Sequence, residues 1–155
     1  MNERKEQIAD TLRESREELL AAVAGLKDAD WQRETPCEGW TVKDVIGHVG
    51  VGEPGNIIMV RRILSDEEGA VPGFDLDRYN RRQVEKRRDK STSELLDDLS
   101  TARESTLAFF GDLSDEQLDK RGHRTTGEET TVEQIFYRIA GHEREHTEHI
   151  LQALR

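Results

Sequence analysis

Apolar residues recur along the chain at three- and four-residue spacing with polar residues between them, the pattern of amphipathic helices rather than strands. Ile8, Leu12, Leu19, Val23 and Leu26 form one stripe and predict a first helix near residues 3–26. A second helix is predicted over 41–64, through Val45, His48 and Val49 toward Ile57, Val60 and Leu64. Thr41 is placed to cap it, with Asp44 three residues on in a capping-box position. Leu95, Leu99, Ala102, Thr106 and Phe109, leading to Leu113, predict a third helix over 91–111, opened by Ser91 with Glu94. The fourth, over 130–154, starts at Thr130 or Thr131 with Glu133 or Gln134 in support. Its stripe is Val132, Ile135, Ile139, His142, His146, Ile150 and Ala153. No stretch of useful length alternates with period two, so the expected fold is all-α without a sheet.

The connections set the topology. Residues 65–90 contain Gly69, Pro72 and Gly73 and predict a short helix over 76–88. A link that long can cross a bundle, which makes helices two and three parallel in a four-helix bundle of up-down-down-up order. Helix four then runs antiparallel to helix two. His48 lies about 10 Å along helix two from its start, and His142 and His146 lie about 13–20 Å from the end of helix four. Those depths bring the three rings nearly level.

At 155 residues the chain is expected to form one domain over 1–155. Charged residues make up 36% and aromatics few, which suits helices with solvated outer faces. A net charge of −10 argues against nucleic-acid and anionic-membrane partners. One cysteine excludes an internal disulfide, a Cys-based zinc cluster and an iron–sulfur centre. Residues 1–13 are charged and helical in pattern, with no apolar leader, and no segment is long and apolar enough to span a bilayer; a cytoplasmic protein is expected.

The candidate chemistry lies in the histidines. Two histidines four apart stand about 6 Å apart along a helix and point the same way, so His142 and His146 can share a metal. His48 from another helix completes three ligands and leaves an open position, as in catalytic metal sites. The competing reading is a pair of core-edge histidines hydrogen-bonded to carboxylates. His149 departs from the stripe and reads as a surface residue or a support to a ligand. His123 reads as exposed, in a polar loop. The run His142-Glu143-Arg144-Glu145-His146 also satisfies the H-E-x-x-H peptidase pattern. The downstream glycine and histidine of one such peptidase class are absent, and Glu143 reads as an exposed carboxylate. Around His48, Gly47, Gly50, Gly52, Pro54 and Gly55 imply either a bend in the helix or room beside the metal for a substrate.

Trp31, the run Thr35-Pro36-Cys37-Glu38-Gly39-Trp40-Thr41-Val42-Lys43-Asp44-Val45-Ile46-Gly47-His48, the stretch Phe74-Asp75-Leu76-Asp77-Arg78-Tyr79-Asn80 and the late histidine pair resemble the DinB-like superfamily. That superfamily includes the N-terminal domain of mycothiol-dependent maleylpyruvate isomerases. The similarity covers nearly the whole chain. It implies an up-down-down-up four-helix bundle holding one divalent metal on His48, His142 and His146. It also implies pairing as a homodimer. The isomerase branch resembles this chain with a glutamate in place of His142 and with a further C-terminal domain, so the resemblance extends to fold and metal before it extends to isomerisation.

What the resemblance implies for mechanism is a low-molecular-weight thiol cofactor, mycothiol or bacillithiol, at the open metal position. Three imidazoles leave a divalent cation its full charge, which lowers the pKa of a bound thiol. Zinc or nickel suits three nitrogens better than magnesium or calcium; manganese and iron are further candidates. Asp44, Arg138 and Glu145 are candidates to support the ligands, or else ordinary solvated residues. Arg78, Arg81, Arg82, Lys86, Arg87, Arg88 and Lys90 form either a rim for an anionic substrate or a solvated face. Cys37 reads as a packed, inert thiol, and Trp31 and Trp40 as closing their loop over the core. Three functions follow: a thiol-dependent metalloenzyme acting on a small molecule, a transferase before a hydrolase; a metal-binding or stress-related bundle without catalysis; and a structural homodimer without a functional metal.

Overall fold

The computed structural model describes residues 1–155. Four long helices, α1 (Glu3–Val23), α3 (Val42–Leu64), α5 (Thr92–Gly111) and α7 (Val132–Leu154), form the bundle. Short helices α2 (Asp28–Trp31), α4 (Leu76–Arg87) and α6 (Asp115–Leu118) lie in the connections. The starts follow the predicted caps. Asp44 N–H donates to Thr41 Oγ1 at 3.1 Å, and Thr41 N–H returns a bond to Asp44 Oδ2 at 3.2 Å. Ser91 Oγ accepts from Glu94 N–H, and Thr131 with Gln134, rather than Thr130, opens α7. The first helix ends at Val23, short of the predicted Leu26, because the chain turns extended at Ala24.

The core falls into two clusters, and their membership fixes the helix directions. At one end Ile8 and Leu12 pack with Val60, Ile63, Phe110, Val132, Phe136 and Ile139. At the other, Leu19 and Val23 pack with Val45, Val49, Leu95, Leu99 and Ile150. Early α1 thus meets early α7, while early α3 and early α5 meet the ends of both. The order is up-down-down-up, and the crossover over 65–91 carries α4.

One expectation is corrected. The pattern predicts no β pairing, yet β1 (Arg121–His123) and β2 (Glu129–Thr131) form a two-stranded antiparallel ribbon. Strands of three residues are too short to show a period, and tertiary contact supports them. His123 exchanges main-chain bonds with the crossover, donating to Glu68 O at 2.7 Å and accepting from Ala70 N–H at 3.0 Å. The ribbon thereby ties the crossover to one end of the bundle. His123 is exposed there, in a strand rather than a loop.

Candidate metal centre

The loop before α3 explains the unusual motif. Cys37 to Trp40 form a tight turn, with Glu38 at φ 56° and Gly39 at φ 71° and Trp40 N–H donating to Cys37 O at 2.9 Å. Two consecutive positive φ values favour glycine and short polar residues, which accounts for Gly39. Thr35 Oγ1 and N–H both donate to Trp40 O, at 2.8 and 2.7 Å, locking the turn. The result delivers Trp40 to the core, its ring 5.1 Å from that of His48. Trp31 is buried in the same cluster.

The three histidines converge. His142 Nε2 lies 2.9 Å from His146 Nε2 and 3.3 Å from His48 Nε2. Nitrogens bound to zinc at 2.0–2.1 Å stand about 2.9–3.4 Å apart for coordination angles of roughly 90–110°. His48 and His146 are buried and His142 half-buried. Burial pushes all three pKa values down, to about 4 for His48, about 4 for His142 and about 2 for His146. Neighbouring histidines add to the effect at each, and Arg138 contributes at His142. Near neutral pH the rings are therefore uncharged and each keeps one lone pair. His142 Nε2 can carry only one proton for two facing nitrogens, so protons alone cannot satisfy the trio. A divalent cation fits this donor set.

The outer nitrogen of His146 is held as well. His149 Nδ1 lies 3.3 Å from His146 Nδ1, which suits His149 accepting a proton that a cation on Nε2 confines to Nδ1. Cys37, His146 and His149 also bring ligand atoms within 4.8 Å of one another, a second arrangement that shares His146. The half-buried Cys37 thiol has its pKa raised by burial and by Glu38 and Glu145, so it is a weak nucleophile without a cation beside it.

Glu143 is corrected from exposed to buried: only 1% of it is accessible. Ser15 Oγ donates to it at 2.7 Å, Arg16 Nε at 2.9 Å and Arg103 Nη2 at 3.2 Å. Arg103 also donates to Glu53 at 2.9 Å, and Arg16 to Glu53 at 3.4 Å. Each long helix thus supplies one charge to a buried quartet between the two apolar clusters. Sequence reading missed it, although a charged residue interrupts the core register of all four helices. A carboxylate so committed cannot serve as the free base that the peptidase pattern requires.

A cavity of about 370 Å³ opens beside the trio and is lined by His48 and His142. Its floor is α3 and α7, and its roof is the crossover with Arg124 and Thr125. A Cβ on Gly52 would stand 3.5 Å from His142 Cε1, and one on Gly55 would meet nothing, so these two glycines do leave space at the site. Gly47 and Gly50 instead pack closely on Leu95 and Leu99. Arg138 lines the cavity. Asp44 instead caps its helix and pairs with Arg88 at 3.4 Å. The basic run is largely solvated, with Lys90 paired to Asp98. No helix is long and apolar enough to cross a membrane.

Residues 12–146 match the family described as the mycothiol maleylpyruvate isomerase N-terminal domain. YfiT of Bacillus subtilis, named as a candidate metal-dependent hydrolase, is 29% identical over 99% of this chain and 85% of its own length. The YfiT structure, described as an unusual four-helix bundle topology, superposes with a TM-score of 0.81 at 21% identity, covering 99% of this chain and 87% of YfiT. The mycothiol-dependent maleylpyruvate isomerase superposes with a TM-score of 0.80 at 12% identity over 94% of this chain. This chain spans 60% of that isomerase's length. The chain belongs to the mycothiol maleylpyruvate isomerase N-terminal domain family, within the DinB-like superfamily.

Proposed function

We propose that the protein is a metalloenzyme that uses a low-molecular-weight thiol, a transferase by preference, with His48, His142 and His146 holding one divalent ion, zinc or nickel. The observation that carries this reading is the convergence of three imidazoles, two of them, His48 and His142, on the wall of an open cavity. The family's description supplies the thiol, and YfiT's name the metal dependence. A cation held by the three histidines would supply the positive charge that lowers the pKa of a thiol brought beside it at neutral pH.

The chain's own residues prepare that position. Trp40 packs on the His48 ring and limits its rotation. His149 orients His146 through the outer nitrogens. The absence of side chains at Gly52 and Gly55 keeps the approach open for the thiol and its electrophilic partner. Glu143 is tied into the quartet and supplies no base for water, which favours transfer to a thiol over peptide hydrolysis.

The test measures metal content, then the affinity of the metal-loaded protein for mycothiol, bacillithiol and glutathione, then consumption of an electrophile, each with wild type and His48→Ala. Stoichiometric metal, thiol binding and turnover, all lost in the variant, support the enzyme. Metal without thiol binding or turnover reduces it to a metal-holding bundle, and cleavage of peptides or esters without thiol makes it a hydrolase.

A further inference from the structure

The cavity beside the histidines differs in character from the rest of the surface. The chain carries a net charge of −10, yet the 19 residues lining this cavity include three arginines, Arg62, Arg124 and Arg138, and no carboxylate. Two of these are engaged: Arg62 pairs with Glu67 at 2.8 Å and Arg124 with Glu128 at 2.8 Å. Arg138 makes no ion pair or hydrogen bond within the chain, although it stands one helical turn from His142 and its charge is felt there. A guanidinium left uncommitted at a cavity, on a chain with 33 acidic residues, marks a place for an anion from outside.

The apolar surface points to the same spot. Of nine large apolar side chains left exposed, five line this cavity: Ile58, Val71, Phe74, Leu76 and Tyr79. Scattered exposed apolar residues need no explanation, but a cluster of them around a concave site does. The Phe74 and Tyr79 rings pack at 5.3 Å between centroids and stiffen the roof.

We infer that the cavity binds a small amphipathic carboxylate, its apolar body under the crossover and its carboxylate on Arg138. That the reactive end of such a molecule faces the histidine trio rests on the function proposed above; the binding of the carboxylate itself does not. An apolar electrophile carrying an acid group would meet both requirements.

The probes are octanoate, octylamine and acetate, titrated calorimetrically at neutral pH into the purified protein, both zinc-loaded and metal-free. Octanoate is expected to bind both forms, acetate much more weakly, and octylamine not measurably. Arg138→Gln should weaken octanoate by about tenfold, the worth of one charge-assisted hydrogen bond. Metal content should not change, and Arg138→Lys should recover part of the affinity. Phe74→Asp should weaken octanoate through loss of the apolar contact. Equal binding of octanoate and octylamine, or wild-type affinity in Arg138→Gln, overturns the assignment. So does a dimer that Phe74→Asp dissociates together with no octanoate binding, because a second copy would then cover the rim. Octanoate binding without metal or thiol binding would leave this inference standing while removing the proposed chemistry.

Discussion

Two polar clusters sit side by side in the middle of the bundle, and they are built on opposite principles. The quartet of Arg16, Glu53, Arg103 and Glu143 balances two positive charges with two negative ones, and spare guanidinium donors reach backbone oxygens. Arg16 donates to Leu99 O at 2.9 Å and Arg103 to Leu12 O at 2.6 Å. The histidine trio, starting one residue away on α7, carries no charge near neutral pH and turns ring nitrogens toward one another beside an open cavity. Burial costs both clusters desolvation, but only the quartet recovers it from within the chain. A complete cluster reads as structure and an incomplete one as a place for a ligand.

The largest effect should come from opening the complete cluster. Arg103→Ala leaves Glu53 and Glu143 short of their shared partner and is expected to lower the unfolding free energy by about 3–5 kcal/mol in urea titrations. A loss below about 1 kcal/mol would mean that water enters and compensates the carboxylates, and the contrast would fade.

Completing the incomplete cluster should do the reverse. Zinc at a hundredfold excess over its dissociation constant is expected to stabilise the protein by about 2.7 kcal/mol. His142→Ala should abolish both this gain and stoichiometric metal while the helical circular-dichroism spectrum persists. Retained metal in that variant would move the ion to the arrangement of Cys37, His146 and His149, which does not use His142.

Acid should distinguish the clusters next. The trio's pKa values are depressed in the fold, so below about pH 6.5 the unfolded chain takes up protons that the folded chain refuses. The stability is complete above that pH and falls as pH drops toward 4, the value for His48 and His142. Between pH 6.5 and 5 the loss in metal-free protein should be about 1.5 kcal/mol for each histidine. A denaturation midpoint flat over that interval would show the rings taking up protons in the fold as readily as in the unfolded chain.

The smallest effect concerns the thiol. Cys37→Ser is expected to shift stability by no more than about 0.5 kcal/mol and to leave metal content unchanged. Loss of metal in that variant would make Cys37 a ligand.

Legibility followed the physics of each feature. The four long helices were readable because stripes, caps and a long crossover agree, and the trio because His142 and His146 keep helical phase four apart. Leu12, Arg16 and Leu19 already show the quartet's signature, a charge inside an apolar stripe. One helix alone cannot reveal it, since an arginine on a core face is interpretable only when its carboxylate partner on another helix is known. Glu143 was misplaced for the same reason: the apolar stripe was traced through His142, whereas the innermost position is its neighbour. The ribbon at 121–131 escaped because its stability comes from the crossover and not from its own residues.

The cavity's two walls have separate mechanical foundations. Its floor belongs to α3 and α7, which also carry the histidines and the quartet's two carboxylates, so a change there disturbs ligands and core together. The roof is tied to the frame by main-chain bonds to His123, by Arg62 Nε donating to Gly69 O and by Val84 of α4 buried in the core. Residues 71–79 lie exposed between those ties and carry none of the three histidines, so their side chains can be rewritten without touching the ligand-bearing helices. Selection, or a designer, can retune what enters the site by editing an interchangeable module.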